Sequence, residues 1–460
     1  MPPIIALFLC LAFVAAILIY DDKYVSSVSK ASWIPLIWLF IISSRFVSQW
    51  LFPGSMWISA DEYMEGSPID RIIFLLLIII GLVILARRTI DWKFILSNNM
   101  ALVIFILFQV LSILWSDYPF ISFKRWIKAF GDFVMVMVVL TEDNPEESIK
   151  TIIRRCAYIL IPLSITMIKY YPQLSRSFDA WTGVGSYKGA ATSKNMLGNI
   201  CLISGYYFIW NILTQFRNKT YKNNKIDFLL QLFILFLTLW TLKIADSATS
   251  LGALVISSFL LLLLGTHIIK RLVPHIGSII IVSVVLFTIL QLSFNIIEMV
   301  INMLGRDMTL TTRTEVWAVV LKIKINPILG AGYESFWLGG RLESIWSVFW
   351  WRPNQAHNGY LETYLNLGFV GLFLLIMFII NTFQHSKKEL MTNFDFGRFR
   401  MTYLVILLLY NVTEAQFKGL TMIWFIFILL AIEVPKNHTS EDEELFEYQE
   451  YELEHQNHYP

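Results

Sequence analysis

Uninterrupted apolar blocks of roughly 17–25 residues recur along this chain, the length an α-helix needs to cross about 30 Å of hydrocarbon at 1.5 Å per residue. Thirteen can be placed: 3–19, 33–51, 70–86, 99–115, 124–140, 152–168, 195–213, 228–242, 247–264, 276–298, 360–383, 400–413 and 420–434. Hydrocarbon offers no hydrogen-bond partner, so each block has to satisfy its own backbone as a helix. A membrane barrel would instead alternate apolar and polar residues over short segments. Charged residues make up 15% of the chain, against about 25% in a soluble domain, which excludes an ordinary soluble globule. The expected fold class is all-α, a polytopic membrane helix bundle of about 12–13 transmembrane helices with a large late outer loop containing amphipathic helices.

Lys and Arg in short loops set orientation. Arg217, Lys219, Lys222 and Lys225 follow the seventh block, and Lys387, Lys388, Arg398 and Arg400 follow the eleventh. Arg87, Arg88 and Lys93 follow the third, and Lys270 and Arg271 the ninth. With thirteen spans all of these share the cytoplasmic side. The expected division is ten spans over 1–298, an outer catalytic loop at 299–359, three spans over 360–434 and a tail at 435–460. Glu441 to Glu454 carries eight acidic residues and no basic one, so the tail reads as a solvated, disordered cytoplasmic segment. Met1-Pro2-Pro3 lacks a basic region, so the first block is expected to stay as a helix and not to act as a cleaved signal. Cys10, Cys156 and Cys201 have no metal or disulfide spacing. No internal repeat of the transporter kind is visible.

Two longer outer segments, 169–194 and 299–359, hold basic residues that orientation does not explain. In the second, Arg313 to Ile325 reads as an amphipathic helix with Val316, Trp317, Val319, Val320 and Ile323 on one side. Pro327 stops it, Gly330 and Gly332 mark a turn, and Leu342 to Trp351 is an aromatic stretch expected at the water–lipid interface. His357 then sits where a long apolar helix begins, a position that attracts anions and favours a neutral, proton-accepting imidazole; the plain alternative is a histidine lining an interface. In the first segment Lys194 opens a helix, against the dipole, unless an anion lies nearby; the alternative is an ordinary snorkelling lysine. Arg45 lies mid-block, and Asn411 and Glu414 close the twelfth block. Ionisable groups at such depth are costly and face the bundle interior, and packing alone accounts for each taken singly.

Four stretches together resemble the O-antigen ligase and polysaccharide polymerase superfamily, above all its exopolysaccharide polymerase-like branch. They are Leu111-Ser112-Ile113-Leu114-Trp115-Ser116-Asp117-Tyr118-Pro119 with Arg125, and Lys194-Asn195-Met196-Leu197-Gly198. The third is Arg313-Thr314-Glu315-Val316-Trp317 with Pro327-Ile328-Leu329-Gly330-Ala331-Gly332 and Phe336. The fourth is His357-Asn358-Gly359-Tyr360-Leu361-Glu362 with Leu367-Gly368-Phe369-Val370-Gly371. The resemblance runs over roughly 100–430.

It implies a glycosyltransferase of the bacterial inner membrane with its site on the periplasmic face. The donor would be a glycan on undecaprenyl pyrophosphate, and the acceptor a sugar hydroxyl on a free or lipid-linked glycan. Membrane lipid would surround the protein, with no cofactor, no metal and no nucleic acid. Arg313 and Lys194, with Arg125 as a third cation, would bind the pyrophosphate, since fixed cations stabilise charge developing on a leaving group. His357, acting with Arg313, would be catalytic and take the acceptor's proton, giving inversion. Asn195, Asn358, Glu414 and Trp317 are further substrate-binding candidates. No Asp-x-Asp pair for a metal-bound nucleotide sugar and no P-loop occurs. Within the family a polymerase, extending a lipid-linked chain, competes with a ligase that moves O-antigen onto lipid A–core. Outside it stands a transporter or flippase for lipid-linked sugars, with Arg45 and Glu414 in a polar pathway. A structural scaffold gives no reason for a histidine and cations to converge outside.

Overall fold

A computed structural model describes residues 1–25, 27–53, 64, 66–178, 183, 185–266, 272–278 and 313–435. The expected span at 276–298, beyond residue 278, and the acidic tail from 436 lie outside the described residues. The described chain is helical apart from one small hairpin. Its first half holds α1 (Pro3–Tyr24), α2 (Trp33–Ser43), α3 (Val47–Leu51), α4 (Pro68–Ala86), α5 (Trp92–Asn98), α6 (Met100–Leu111), α7 (Pro119–Leu140) and α8 (Pro145–Tyr170). After the hairpin of β1 (Arg176–Phe178) and β2 (Gly185–Tyr187) come α9 (Lys194–Asn218), α10 (Lys225–Ala245) and α11 (Ala248–Leu264). Then follow α12 (Arg313–Val320), α13 (Gly339–Val348), α14 (Gly359–Thr392), α15 (Phe394–Thr413) and α16 (Met422–Ala431).

Among the described residues six helices (α1, α4, α8, α9, α10 and α14) are each long and apolar enough to cross a bilayer, and α5 with α6 forms a broken candidate bent by 86°. The protein is therefore a multi-pass α-helical membrane protein. Burial separates centre from perimeter. In α8 and α9, 78% of the apolar window is buried, against 17% in α1. Ile4, Phe8, Leu75, Leu76, Phe236 and Phe259 face outward, the lipid-facing belt expected of such a bundle. Inside, α9 packs on α8, α10 and α11, and α15 packs on α11 and α14.

Several blocks differ from their expected form. The block at 33–51 is two helices, α2 and α3, with Arg45 in the break. Arg45 is buried, and a buried guanidinium needs acceptors that its own helix does not offer. It donates to the carbonyls of Leu174, Gly189 (3.2 Å) and Ala191 (3.1 Å). The arginine thus clamps the segment that carries the hairpin. Burial and the neighbouring Arg45 charge push the Lys188 ammonium pKa down. Arg45→Met keeps the stem and removes the donors; it is expected to cost about 3 kcal/mol, read as a lower melting temperature in detergent. An unchanged melt would dismiss the clamp. Arg398 and Arg400, expected in a loop, lie inside α15, because α14 runs on to Thr392. They pair with Asp395 (3.1 Å) and with Glu433 (2.9 Å).

The helix expected over Arg313 to Ile325 ends at Val320. Downstream, the Asn326 side chain accepts from the N–H groups of Ile328 (2.9 Å) and Leu329 (3.1 Å), a turn that competes with helix. Val316, Val320, Phe336, Leu342, Ile345 and Phe349 bury one another in a small core separate from the main one. The aromatic stretch at 342–351 therefore packs partly inward. Trp346 donates to the Pro353 carbonyl (2.9 Å), while Trp350 stays exposed.

This loop is locked into the bundle by backbone pairing. Helix α14 breaks at Gly368 (φ 65°, ψ −165°), leaving carbonyls and N–H groups without helical partners. Ala331 and Gly332 donate to the carbonyls of Leu365 (3.0 Å) and Asn366 (2.8 Å). In return Phe369 and Val370 donate to the carbonyls of Pro327 (2.9 Å) and Ile328 (3.1 Å). A broken helix at membrane depth is tolerable only where protein supplies such partners. The stretch at 111–119 completes the lock. Ser112 Oγ accepts from the Tyr333 N–H (3.0 Å), Trp115 Nε1 donates to Leu329 O (3.1 Å), and Asp117 pairs with Arg341 (2.5 Å).

Candidate active site

The locked loop and the start of α14 fix where His357 stands. Asn358 caps α14: its Oδ1 accepts from the Leu361 N–H (2.9 Å), and its Nδ2 donates to the Val412 carbonyl (3.0 Å), joining the start of α14 to the end of α15. Gly359 permits that approach, since a Cβ there would lie 2.0 Å from Asn411 Oδ1. Just before the cap, Ala356 is held at both ends of its peptide. Its N–H donates to Glu362 Oε2 (2.9 Å), and its carbonyl accepts from Trp317 Nε1 (2.7 Å). His357 itself has φ +50°, an uncommon backbone for a non-glycine residue that surrounding contacts must enforce.

At the end of α15 the Glu414 side chain, 5% exposed, gathers three donors. Its Oε1 accepts from Arg313 Nη2 (2.7 Å) and from Asn195 Nδ2 (2.7 Å). Its Oε2 stands 3.1 Å from His357 Nδ1. Segments 57, 101 and 219 residues away in sequence, the starts of α14, α12 and α9, thus meet on one carboxylate at the end of α15. A carboxylate can only accept, so the histidine nitrogen facing it is the donor of this contact; in a neutral imidazole held this way the lone pair lies on Nε2.

Residues 233–376, which include Arg313 and His357, match the family described as O-antigen ligase. The chain is also similar to the exopolysaccharide production protein ExoQ of Rhizobium meliloti (strain 1021), 24% identical over 316 residues, 66% of this chain and 69% of that protein. The match to O-antigen ligases thus covers the stretch from 233 to 376. Asn195 and Glu414, which complete the cluster, lie outside the matched stretch and reach it only through the fold.

The other expected site residues fall in three places. Lys194 is half-buried beside Asn195 at the start of α9, whose cap is Ser193 Oγ accepting from the Met196 N–H (3.2 Å). Arg125 is not brought to Glu414. Its Nη1 donates to the Glu334 carbonyl (2.8 Å), securing the loop from α7. Trp317, through its bond to Ala356, and Asn358, through its cap, position the histidine's backbone. One residue with no expected role matters as much: Glu362, whose carboxylate holds the Ala356 N–H. An acid in the first turn of a helix was the available signal.

Proposed function

We propose that the protein transfers a glycan from an undecaprenyl-pyrophosphate carrier to a sugar hydroxyl on the outer face of the bacterial inner membrane, in surface polysaccharide biosynthesis, as a polymerase. The single observation that carries this reading is the convergence of Arg313, Asn195 and His357 on the buried Glu414. The exopolysaccharide role named for the similar protein favours chain extension over transfer to a final acceptor.

In this reading Glu414 holds His357 with its Nδ1–H engaged, and Nε2 takes the proton of the acceptor hydroxyl. As that proton leaves, the hydroxyl oxygen forms its bond to the anomeric carbon. The bond from that carbon to the pyrophosphate breaks, and its electron pair goes to the pyrophosphate oxygen. Arg313, with Lys194 at the start of α9 as a second cation, stabilises the charge that develops there; arginine's planar fork suits phosphate oxygens. Attack opposite the leaving group inverts the anomeric centre, and no metal is required.

The test is a gene deletion restored with wild type, His357→Ala or Arg313→Ala, with surface and carrier-linked glycans then separated by size. The expected result for either variant, at normal protein levels, is single repeat units on the carrier and loss of long chains. Long chains that persist on the carrier without reaching a final acceptor would make the protein a ligase. Wild-type profiles from both variants would remove the proposed catalytic pair.

A further inference from the structure

A second polar feature lies against the same carboxylate and is used by none of the chemistry above. It is a cavity of about 210 Å³ between the starts of α9 and α16 and the segment joining α15 to α16. Asn199, Gln355, Gln416, Lys418 and Thr421 line it, and Glu414 and Asn195 form its border with the cluster. Asn199 is 5% exposed. Its Nδ2 donates weakly to Gln416 Oε1 (3.4 Å), while its Oδ1 has no hydrogen-bond partner. A buried amide oxygen without a partner is costly, and Asn199 lines the cavity, so a ligand that donates to this side chain would relieve that cost.

The lining selects the class of that ligand. Three amide side chains, those of Asn199, Gln355 and Gln416, each offer both a donor and an acceptor. Sugar hydroxyls likewise donate and accept. A prenyl chain would leave the buried Asn199 Oδ1 unpaired, which its burial disfavours. A pyrophosphate needs several cations, and the cavity offers one, Lys418, which donates to Gln355 Oε1 (3.3 Å) and forms no ion pair among the described residues. Glu414 on the border works against an anion as well. Leu420 and Met422 give an apolar wall for the C–H face of a ring.

We infer that this cavity is a sugar subsite, holding one hydroxylated ring of the glycan substrate beside the Glu414 cluster, with Asn199, Gln416 and Lys418 as its specificity-determining residues. The inference deepens the glycan-transfer reading and rests on it for the identity of the polymer. It adds residues that choose the sugar without taking part in bond making.

The experiment is binding, which does not depend on transfer. Oligosaccharide repeat units released from the host's own surface polysaccharide are titrated onto the detergent-solubilised full chain and followed by saturation-transfer NMR. Wild type is expected to bind, and Asn199→Leu and Lys418→Met each to weaken binding about tenfold. Lys418 is half-buried at the rim, so its variant carries the test if Asn199→Leu melts early. Failure of the wild type to bind, or equal binding by a folded variant, overturns the subsite. Wild type that binds but transfers nothing from the lipid carrier keeps the subsite and overturns the reaction.

Discussion

Glu414→Gln is expected to lower glycan transfer by about 10³-fold while leaving the protein's abundance close to wild type. Three donors converge on the Glu414 side chain, two on Oε1 and one on Oε2. A carboxylate can accept all three, whereas an amide has one oxygen and an NH₂ group that donates. If the amide oxygen faces Arg313 and Asn195, the NH₂ group faces His357 Nδ1, which must then accept. The histidine proton moves to Nε2, and the nitrogen that should take the acceptor's proton already carries one. If the amide is turned over, its NH₂ group meets two donors, and the Arg313 and Asn195 contacts break. Both arrangements disable the site, so no rotation rescues it. In the proposed reaction Glu414 is a positioning residue, and its test separates that role from a structural one. Turnover on lipid-linked donor should collapse while thermal melting in detergent moves by a few degrees. Full turnover by Glu414→Gln would sink the tautomer argument, and a protein that no longer folds would assign Glu414 to the bundle.

The helical class was legible in the sequence because hydrocarbon permits a helix little choice, and block length alone indicates one. What block length does not reveal is where an apolar run breaks. Gly368 sits in a continuous apolar stretch that reads as one long helix, and its break is created by backbone partners well before it in sequence, at Pro327–Gly332. Arg45 is similar, since its acceptors at Leu174, Gly189 and Ala191 are distant in sequence. The hairpin of β1 and β2 left no alternation long enough to detect. For the site, the motifs supplied His357, Arg313 and Asn195 as separate candidates, and Glu414 stood out as an ionisable residue at the end of an apolar block. Their meeting on one carboxylate is a product of tertiary packing that no local pattern encodes. Arg125 illustrates the converse: the motif that carries it gives no sign that the guanidinium reaches the Glu334 carbonyl rather than the Glu414 cluster.

The motifs also divide by task. Those at 111–119, 327–336 and 367–371 hold one another: Ser112 and Trp115 grip the loop, and the loop fills the break at Gly368. The stretches at 194–198, 313–317 and 357–362 supply the cluster. Substitution in the first group should therefore remove protein or distort the histidine's helix, and substitution in the second should remove chemistry while sparing the fold. Gly368→Ala is the sharpest case of the first kind. At φ 65° and ψ −165° the backbone occupies a region open essentially to glycine alone. A Cβ there would lie 2.2 Å from the Ile328 carbonyl oxygen and 2.6 Å from the Gly330 nitrogen. Both are backbone atoms, the Ile328 carbonyl engaged in the interlock and the Gly330 N–H in a turn bond to the Asn326 carbonyl (2.8 Å), so neither can turn aside as a flexible side chain would. The methyl group must push the loop off α14 and break the four backbone hydrogen bonds of the interlock, each costing on the order of 1–3 kcal/mol. The expected result is loss of most folded protein from the membrane, a melting temperature lowered by 10 °C or more on the order implied by several kcal/mol, and no long glycan. Gly340→Ala is the matched control: it lies in α13 with open space around it and should melt as wild type. Normal abundance and melting of Gly368→Ala would mean that the interlock is not what orders the loop, and that the position of His357 is set by the Asn358 cap and the Trp317 and Glu362 contacts alone.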